Sequence, residues 1–349
     1  MHRIFSFLIV LGLFGGCATG DGNFAADLEP GRLPAPDITL EIPGLGPCTD
    51  SPDRRLRLDS TQPVTVLVHG CFGSSGQFRA LAQVLAFHGQ QSACFTYDDR
   101  ARLRDSAAEL RRALGQLAAR SRVPRVAVIG HSQGALVARE ALTEALTESL
   151  TESLTESLPA PLPATLPAPL PATRPATRPD RAVELRLVTV SGPFSGIESA
   201  RTCGRHWLYP LSLGLLPLSC YIATGPKWLD ITFSSRFILE PGELSSQVVE
   251  HLKIDTDERG TCRRDEVGNC VESDDIFSLA EQSSPLPPTD PRVRRLQVNA
   301  GHVEIVGDKR VAPTKLIAIL QEHGVLRPTS PGRLADFNRM LARTYRNER

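Results

Sequence analysis

The sequence predicts an α/β chain in which helices flank a mostly parallel central sheet. Three observations carry that prediction. The run Pro63-Val-Thr-Val-Leu-Val-His-Gly70 is β-branched and poor in polar residues, as a parallel strand buried on both faces requires. A second apolar run, Val126-Ala-Val-Ile-Gly130, stops abruptly at His131-Ser132-Gln133-Gly134 and is followed by the helical pattern Ala135-Leu-Val-Ala-Arg-Glu-Ala-Leu142. The chain has 349 residues and 41% hydrophobic content, enough for one α/β domain of roughly 250 residues with appendages. Lys+Arg and Asp+Glu both number 39, so the basic excess usual in nucleic-acid binders is missing.

Gly130-His131-Ser132-Gln133-Gly134 fits G-x-S-x-G, a sharp strand-to-helix turn that holds a serine hydroxyl outward above the sheet edge. Small residues are needed on both sides, because a side chain at Gly130 or Gly134 would strike the neighbouring strand or helix. With a strand before it and a helix after it, this motif makes the stretch from about Gln62 to Val325 resemble the α/β-hydrolases, and within them bacterial lipases and esterases. The resemblance implies an α/β-hydrolase fold with a lid-like insertion, an oxyanion hole, and a serine, an acid and a histidine in that chain order. It implies no cofactor.

Met1-His-Arg3, the apolar run Ile4 to Phe14 and Gly15-Gly16-Cys17 read as a targeting segment. It resembles a bacterial lipoprotein signal, in which Cys17 becomes the lipidated first residue, although Phe14 replaces the usual leucine three places earlier. Ala18, rather than aspartate, follows the cysteine, which in Gram-negative lipoproteins implies the outer membrane. A plain secretory signal is the alternative. Ala18 to Pro47 is rich in Gly, Pro and Asp and reads as a tether leading to an edge strand near Ile38-Thr-Leu-Glu-Ile42. Arg54-Arg-Leu-Arg-Leu58 alternates as a strand with one wet face does.

After the first buried strand comes His69-Gly70-Cys71. In the lipases that this resembles, the residue after His-Gly donates a backbone N–H to the oxyanion, which makes Cys71 one donor and Gln133, after the serine, the other. Phe78, Leu81, Ala82 and Leu85 have helical spacing, with Gly89 as the stop. Ser92 to Tyr97 reads as a strand, with Asp98-Asp99 either at the active-site edge or capping the next helix. That helix presents Leu103, Leu110, Leu114 and Leu117 on one face.

Leu142 to Pro179 repeats every four residues, first as LTES and then as LPAP and LPAT. Leucine at that spacing drifts by about 40° per step, so the first half can extend the preceding helix. The prolines of the second half favour extended polyproline II. So simple a repeat reads as an inert insertion rather than a docking arm. Ala182 to Ser191 resumes the sheet. The next stretch holds the apolar segment His206 to Ala223, with Pro210 and Pro217 arguing against a membrane span. It is expected to form a cap over the serine that offers a groove to an acyl chain.

His251 to Asp255 opens the next strand, and Gly260 to Cys270 is an excursion. The lipase acid commonly sits in D-x-[apolar]-[apolar], which Asp274 fits. Asp275, or Asp255 and Asp257 ahead of the excursion, are the alternatives, and an N-cap is the plain structural use of such a pair. Arg294-Arg-Leu-Gln-Val-Asn-Ala-Gly-His302 supplies the last strand and the expected base, His302. His206, His251 and His323 lack that context. Pro313 to Gly324 is a closing amphipathic helix, and the tail from Ser330 reads as a solvated surface helix.

The expected organisation is a signal at 1–16, a tether and edge strand at 17–61, the hydrolase domain at 62–325 and a helical tail at 326–349. The domain carries the repeat insert at 143–179 and the lid-like insertion at 192–243. Cys203 with Cys220 and Cys262 with Cys270 are expected as disulfides in an exported chain, leaving one free thiol among Cys48, Cys71 and Cys94. No cysteine or histidine cluster has zinc spacing. Taken together, the residues lead to an expected serine ester hydrolase acting on a small-molecule or lipid ester with an apolar acyl part, membrane-tethered through Cys17. Ser132 would be nucleophile, His302 base, Asp274 acid, and Cys71 and Gln133 the oxyanion donors. A thioesterase or acyltransferase shares every one of these residues, and a noncatalytic envelope protein is the reading outside enzymes.

Overall fold

A computed structural model describes residues 33–143, 183–200, 203, 205, 208–258, 260, 263–264, 270–283, 290–307 and 311–346. The signal segment with Cys17 and the repeats from residue 144 lie outside the described residues. In chain order the elements are β1 (Ile38–Leu40), β2 (Leu45–Gly46), β3 (Leu56–Leu58), β4 (Val64–Val68), α1 (Arg79–Phe87), β5 (Gln91–Phe95), α2 (Leu103–Arg120), β6 (Arg125–His131), α3 (Gln133–Ala141) and β7 (Glu184–Val190). The insertion follows with α4 (Leu208–Leu211), α5 (Leu215–Thr224), α6 (Trp228–Ile231) and α7 (Arg236–Leu239). Then come β8 (Val248–Thr256), β9 (Arg263–Arg264), β10 (Cys270–Val271), α8 (Leu279–Gln282), β11 (Val293–Val298), α9 (Thr314–Glu322) and α10 (Leu334–Arg346).

The main sheet has the order β11-β8-β7-β6-β4-β5-β2. Its neighbours are parallel except β2, which pairs antiparallel with β5. The alternation of side chains along a strand divides the apolar residues between two cores. Val64, Val66, Val68, Val126 and Val128 face the core shared with α2 and α3, whereas Leu67, Ala127, Ile129, Val188 and Val190 face the one shared with α1, α9 and α10. Both faces are therefore covered, which is why these strands read as unbroken apolar runs. On α2 the expected face is the buried one, with Leu103, Ala107, Leu110, Leu114 and Leu117 in the core.

The segment read as tether and edge strand packs more closely than its composition suggests. β1 pairs with β3 in a small separate ladder, and Leu40, Ile42, Leu45, Leu56 and Leu58 are buried in the first core. Leu45–Gly46, not Ile38–Ile42, forms the edge of the main sheet, and Cys48–Cys94 ties it to β5. At the other end, α10 buries Phe337, Met340, Leu341 and Tyr345 in the second core, with Phe337 against Phe87 of α1. Its apolar face is thus taken up by the protein itself. α3 ends at Ala141, and Thr143 bridges to Leu244, so within the described residues the repeat does not lengthen the helix. No helix among the described residues is long and apolar enough to cross a membrane.

Buried histidines weaken this fold in acid, His131 and His251 most strongly. Burial holds the pKa of His131, beside His302, and of His251, in the middle of the sheet, down to about 3. An unfolded histidine titrates near 6.5, so below that pH the unfolded chain takes up two protons that the folded chain refuses. Stability is therefore full above pH 6.5 and is lost as pH falls toward 3, at up to about 2.7 kcal/mol per pH unit from the pair. Urea unfolding at a series of pH values should show this slope, and His251→Gln should remove about half of it. A flat profile would mean that these imidazoles are not held neutral.

Candidate active site

Ser132 stands at the end of β6 with φ 56° and ψ −126°, a region that L residues with side chains rarely enter. Three close approaches hold it there. A Cβ on Gly130 would lie 2.3 Å from Gly134 O, and one on Gly134 would lie 2.3 Å from Val68 O. A Cβ on Gly70 would lie 2.8 Å from Ser132 Cβ and 3.4 Å from its Oγ. The Ser132 N–H donates to Val190 O at 2.9 Å, so β7 anchors the turn from the other side. The elbow is therefore specified by glycines on β6, on α3 and in the loop after β4.

Asp274 and His302 meet against His131, the residue before the serine. His302 Nδ1 donates to Asp274 Oδ2 at 2.8 Å, and the His302 N–H donates to Asp274 O at 2.9 Å. Asp274 is 0% exposed; its Oδ2 also accepts from Thr256 Oγ1, while Oδ1 accepts the N–H groups of Ile276 and Phe277. Burial alone would raise this carboxyl, but His302, Thr256 and the Phe277 amide favour the charged form more strongly and hold it below its usual value. His131 Nε2 donates to His302 O at 2.8 Å, and Phe277 packs edge-on against the His302 ring. With Nδ1 committed as a donor, a neutral His302 carries its lone pair on Nε2. Among the described residues, Ser132 Oγ makes no hydrogen bond. Such contacts are commonly long before substrate binds.

The alternatives separate clearly. Asp275 is exposed at φ 75°, Asp255 pairs with the buried Lys253, and Asp257 accepts from Gln297 Nε2. His251 bonds Thr189 Oγ1 inside the sheet, His323 lies 4.0 Å from Glu250, and His206 is outside the described residues. Asp274 also serves its own loop as a cap-like acceptor, while Ser278 caps α8.

Cys71 and Gln133 lie on either side of the elbow, and among the described residues their backbone N–H groups have no acceptor. Their side chains converge on Lys227, which the sequence reading passed over. Lys227 Nζ lies 2.9 Å from Cys71 Sγ, 2.8 Å from Asp99 O and 3.1 Å from Gln133 Oε1. Gln133 Nε2 also donates to Asp99 O, and Asp99 Oδ2 accepts the Phe72 N–H at 2.6 Å. Asp99 therefore sits beside the elbow, Asp98 accepts the Arg100 N–H in its own turn, and neither caps α2. Asp230 fills that role from the insertion, accepting the Leu103 N–H and the Nε and Nη2 donors of Arg102.

The insertion contacts the site differently from the acyl cap expected. Its apolar face is turned to solvent: Leu213 is 90% exposed, and Leu211, Leu215, Leu218, Tyr221 and Ile222 are exposed with it. Cys203–Cys220 forms as expected, and Cys71 is the free thiol. Cys270 is disulfide-bonded, while its expected partner Cys262 lies outside the described residues. A cavity of about 210 Å³ lined by Gln62, Val64, Arg125, Arg186 and Arg327 opens at the N-terminal strand edge, away from Ser132, and Glu184 already pairs its Arg125 and Arg186. Among the described residues no group of three or more His, Cys, Asp or Glu side chains could hold a metal ion.

Residues 65–252, just over half of the chain, match the sequence profile of the alpha/beta hydrolase family. The chain belongs to the alpha/beta hydrolase family. Among solved structures this hydrolase is similar to Bacillus licheniformis lipase BlEst2 in its propeptide form, with a TM-score of 0.52 and 13% identity, covering 85% of this chain and 55% of that one. It is similar to the mature form of the same lipase at TM-score 0.47 and 14% identity, over 84% of this chain and 100% of the other. Pyrococcus furiosus esterase PF2001 gives 0.39 and 15% over 86% and 90%. At these identities the likeness concerns the fold alone. No curated protein sequence matches the chain. The family match stops at residue 252, ahead of Asp274 and His302, which are brought together by the contacts above.

The elbow makes a direct stability prediction. Gly134→Ala forces α3 away from Val68 O and should cost about 3 kcal/mol in urea unfolding. Gly115→Ala, where an added Cβ meets nothing within 4 Å inside α2, should instead stabilise by about 0.5–1 kcal/mol. A neutral outcome at position 134 would contradict the close approach.

Proposed function

We propose that this hydrolase is a serine carboxylic ester hydrolase working through an acyl-enzyme. The observation that carries the reading is the buried Asp274–His302 pair, packed on His131 next to a serine held at a positive φ. Ser132 Oγ attacks the ester carbonyl while His302 Nε2 takes its proton. The N–H groups of Cys71 and Gln133 hold the carbonyl oxygen as it becomes negative. Asp274, ionised through the neutral range because its folded pKa is depressed, orients the imidazole and stabilises its charged form. The protonated His302 then gives its proton to the departing alcohol, leaving the acyl group on Ser132. Water enters, loses a proton to His302, and releases the acid by the same steps in reverse. No step needs a cofactor.

An apolar acyl part is the substrate feature best supported. Phe72, next to Cys71, is 62% exposed, and the insertion carries no charged residue from Trp207 to Pro226. Lys227 stands 5.5 Å from the Phe72 ring, which places the end of that uncharged segment at the mouth of the site. We also propose attachment to the cell envelope, at the outer membrane, through lipidated Cys17. The support is the basic start, apolar run and Gly15-Gly16-Cys17 of the sequence.

Ser132→Ala should lower turnover of p-nitrophenyl butyrate by at least ~10⁴-fold, and Asp274→Ala by about 10³–10⁴-fold, with circular dichroism unchanged. Wild-type rates in Ser132→Ala would refute the reading. kcat/KM should rise roughly tenfold for each two carbons added to the acyl chain, from acetyl until the apolar surface is covered. A preference for acetyl esters would remove the apolar-acyl part alone. Cys17→Ser should release the protein from membranes, and a wild type that takes up no labelled fatty acid would overturn the anchor.

A further inference from the structure

Lys227 is 3% exposed, and its three nearest acceptors use the three N–H donors of an ammonium: Cys71 Sγ at 2.9 Å, Asp99 O at 2.8 Å and Gln133 Oε1 at 3.1 Å. Asp99 Oδ2 stands at 3.7 Å and balances the charge while accepting the Phe72 N–H. A buried ammonium is costly unless paired, and a hydrophobic residue would fill the same space at lower cost. The position of this one is informative. Its partners are the loop after β4, the loop after β5 and the first residue of α3, the three segments that frame the elbow. Two of the partners are the residues whose backbone N–H groups have no acceptor among the described residues. Burial pushes the Cys71 thiol up, so at neutral pH it meets Lys227 as an uncharged acceptor. Lys227 itself belongs to the insertion, at the N-cap of α6, three residues before the Asp230 that latches α2.

We propose that Lys227 is the positioning residue of the oxyanion pocket. It fixes Cys71 and Gln133 through their side chains, and its positive charge adds to the field in which the tetrahedral oxyanion forms. The insertion thereby completes the reaction centre that β4 and β6 begin. This rests on the serine ester hydrolase reading and deepens it, since a preorganised charge in a water-poor site acts on the transition state more than on the neutral ester. Lys227 need not touch substrate to do so.

Lys227→Met keeps most of the side-chain volume and removes the charge and the donors. It should lower kcat for p-nitrophenyl butyrate by about 10–100-fold with KM within about threefold, and slow phosphonylation by a fluorophosphonate by the same factor. Binding of an arylboronic acid, which forms an anionic tetrahedral adduct, should weaken in parallel, while inhibition by a neutral alcohol stays unchanged. A purely structural latch would move all four together with thermal stability. Lys227→Ala provides the second arm: n-propylammonium replaces the deleted atoms and should restore turnover, whereas n-propanol, neutral and of similar shape, should not. Undiminished phosphonylation in Lys227→Met, or equal rescue by the amine and the alcohol, overturns the proposal. If wild-type protein is not phosphonylated at all, the ester hydrolase reading fails, and the Lys227 proposal with it. Labelled wild type with an unaffected variant sinks the proposal alone.

Discussion

The backbone of Ser132 is the constraint on which the rest of the structure depends. A non-glycine residue in this region costs about 1–3 kcal/mol, and it persists only where its surroundings leave no other arrangement. Here β4 and β6 run parallel and adjacent, α3 lies directly over the carbonyls of Val68 and His69 at the end of β4, and Gly70 passes against the serine side chain. Each contact is closer than a side chain allows, so relaxing Ser132 would require parting a strand from a helix in the middle of the sheet. The strain is thus carried by the two cores. It holds the serine side chain against Gly70, next to the first residue of α3.

A second constraint is electrostatic. Asp274 is a buried carboxylate, which the fold tolerates because Thr256, two backbone amides and His302 each donate to it. Thr256 is the last residue of β8, so the sheet end fixes the acid, the acid fixes the imidazole, and His131 grips His302 O from the elbow. The ends of β6 and β8 and the loops after β8 and β11 are thereby locked to a common edge. The insertion uses the same device twice, with Asp230 on the start of α2 and Lys227 on the loops around the elbow.

Much of this was legible in the sequence because local pattern and global role coincide. The apolar runs of β4 and β6, the leucine face of α2 and G-x-S-x-G each need only a few neighbouring residues to be read. The pairing of Asp274 with His302 was legible through chain order after the last strands. What was not legible depends on partners far apart. The burial of Ile38 to Leu58 follows from a ladder between β1 and β3 and from Cys48–Cys94, neither marked by any local signal. Asp98-Asp99 resemble a helix cap, but the capping carboxylate comes from Asp230, more than a hundred residues away. Lys227 is a lone lysine after an uncharged stretch, and only its three contacts reveal its place. The apolar insertion had the composition of a groove, whereas composition cannot say which way Leu213 and Ile222 point.

The central claim is that Ser132 is the nucleophile. Mass-spectrometric mapping of the protein after reaction with a fluorophosphonate tests it most directly. The account predicts one adduct per chain, on the peptide containing Gly130-His131-Ser132-Gln133-Gly134, with the added mass on Ser132. An adduct on another residue, or none in protein that hydrolyses esters, would contradict it.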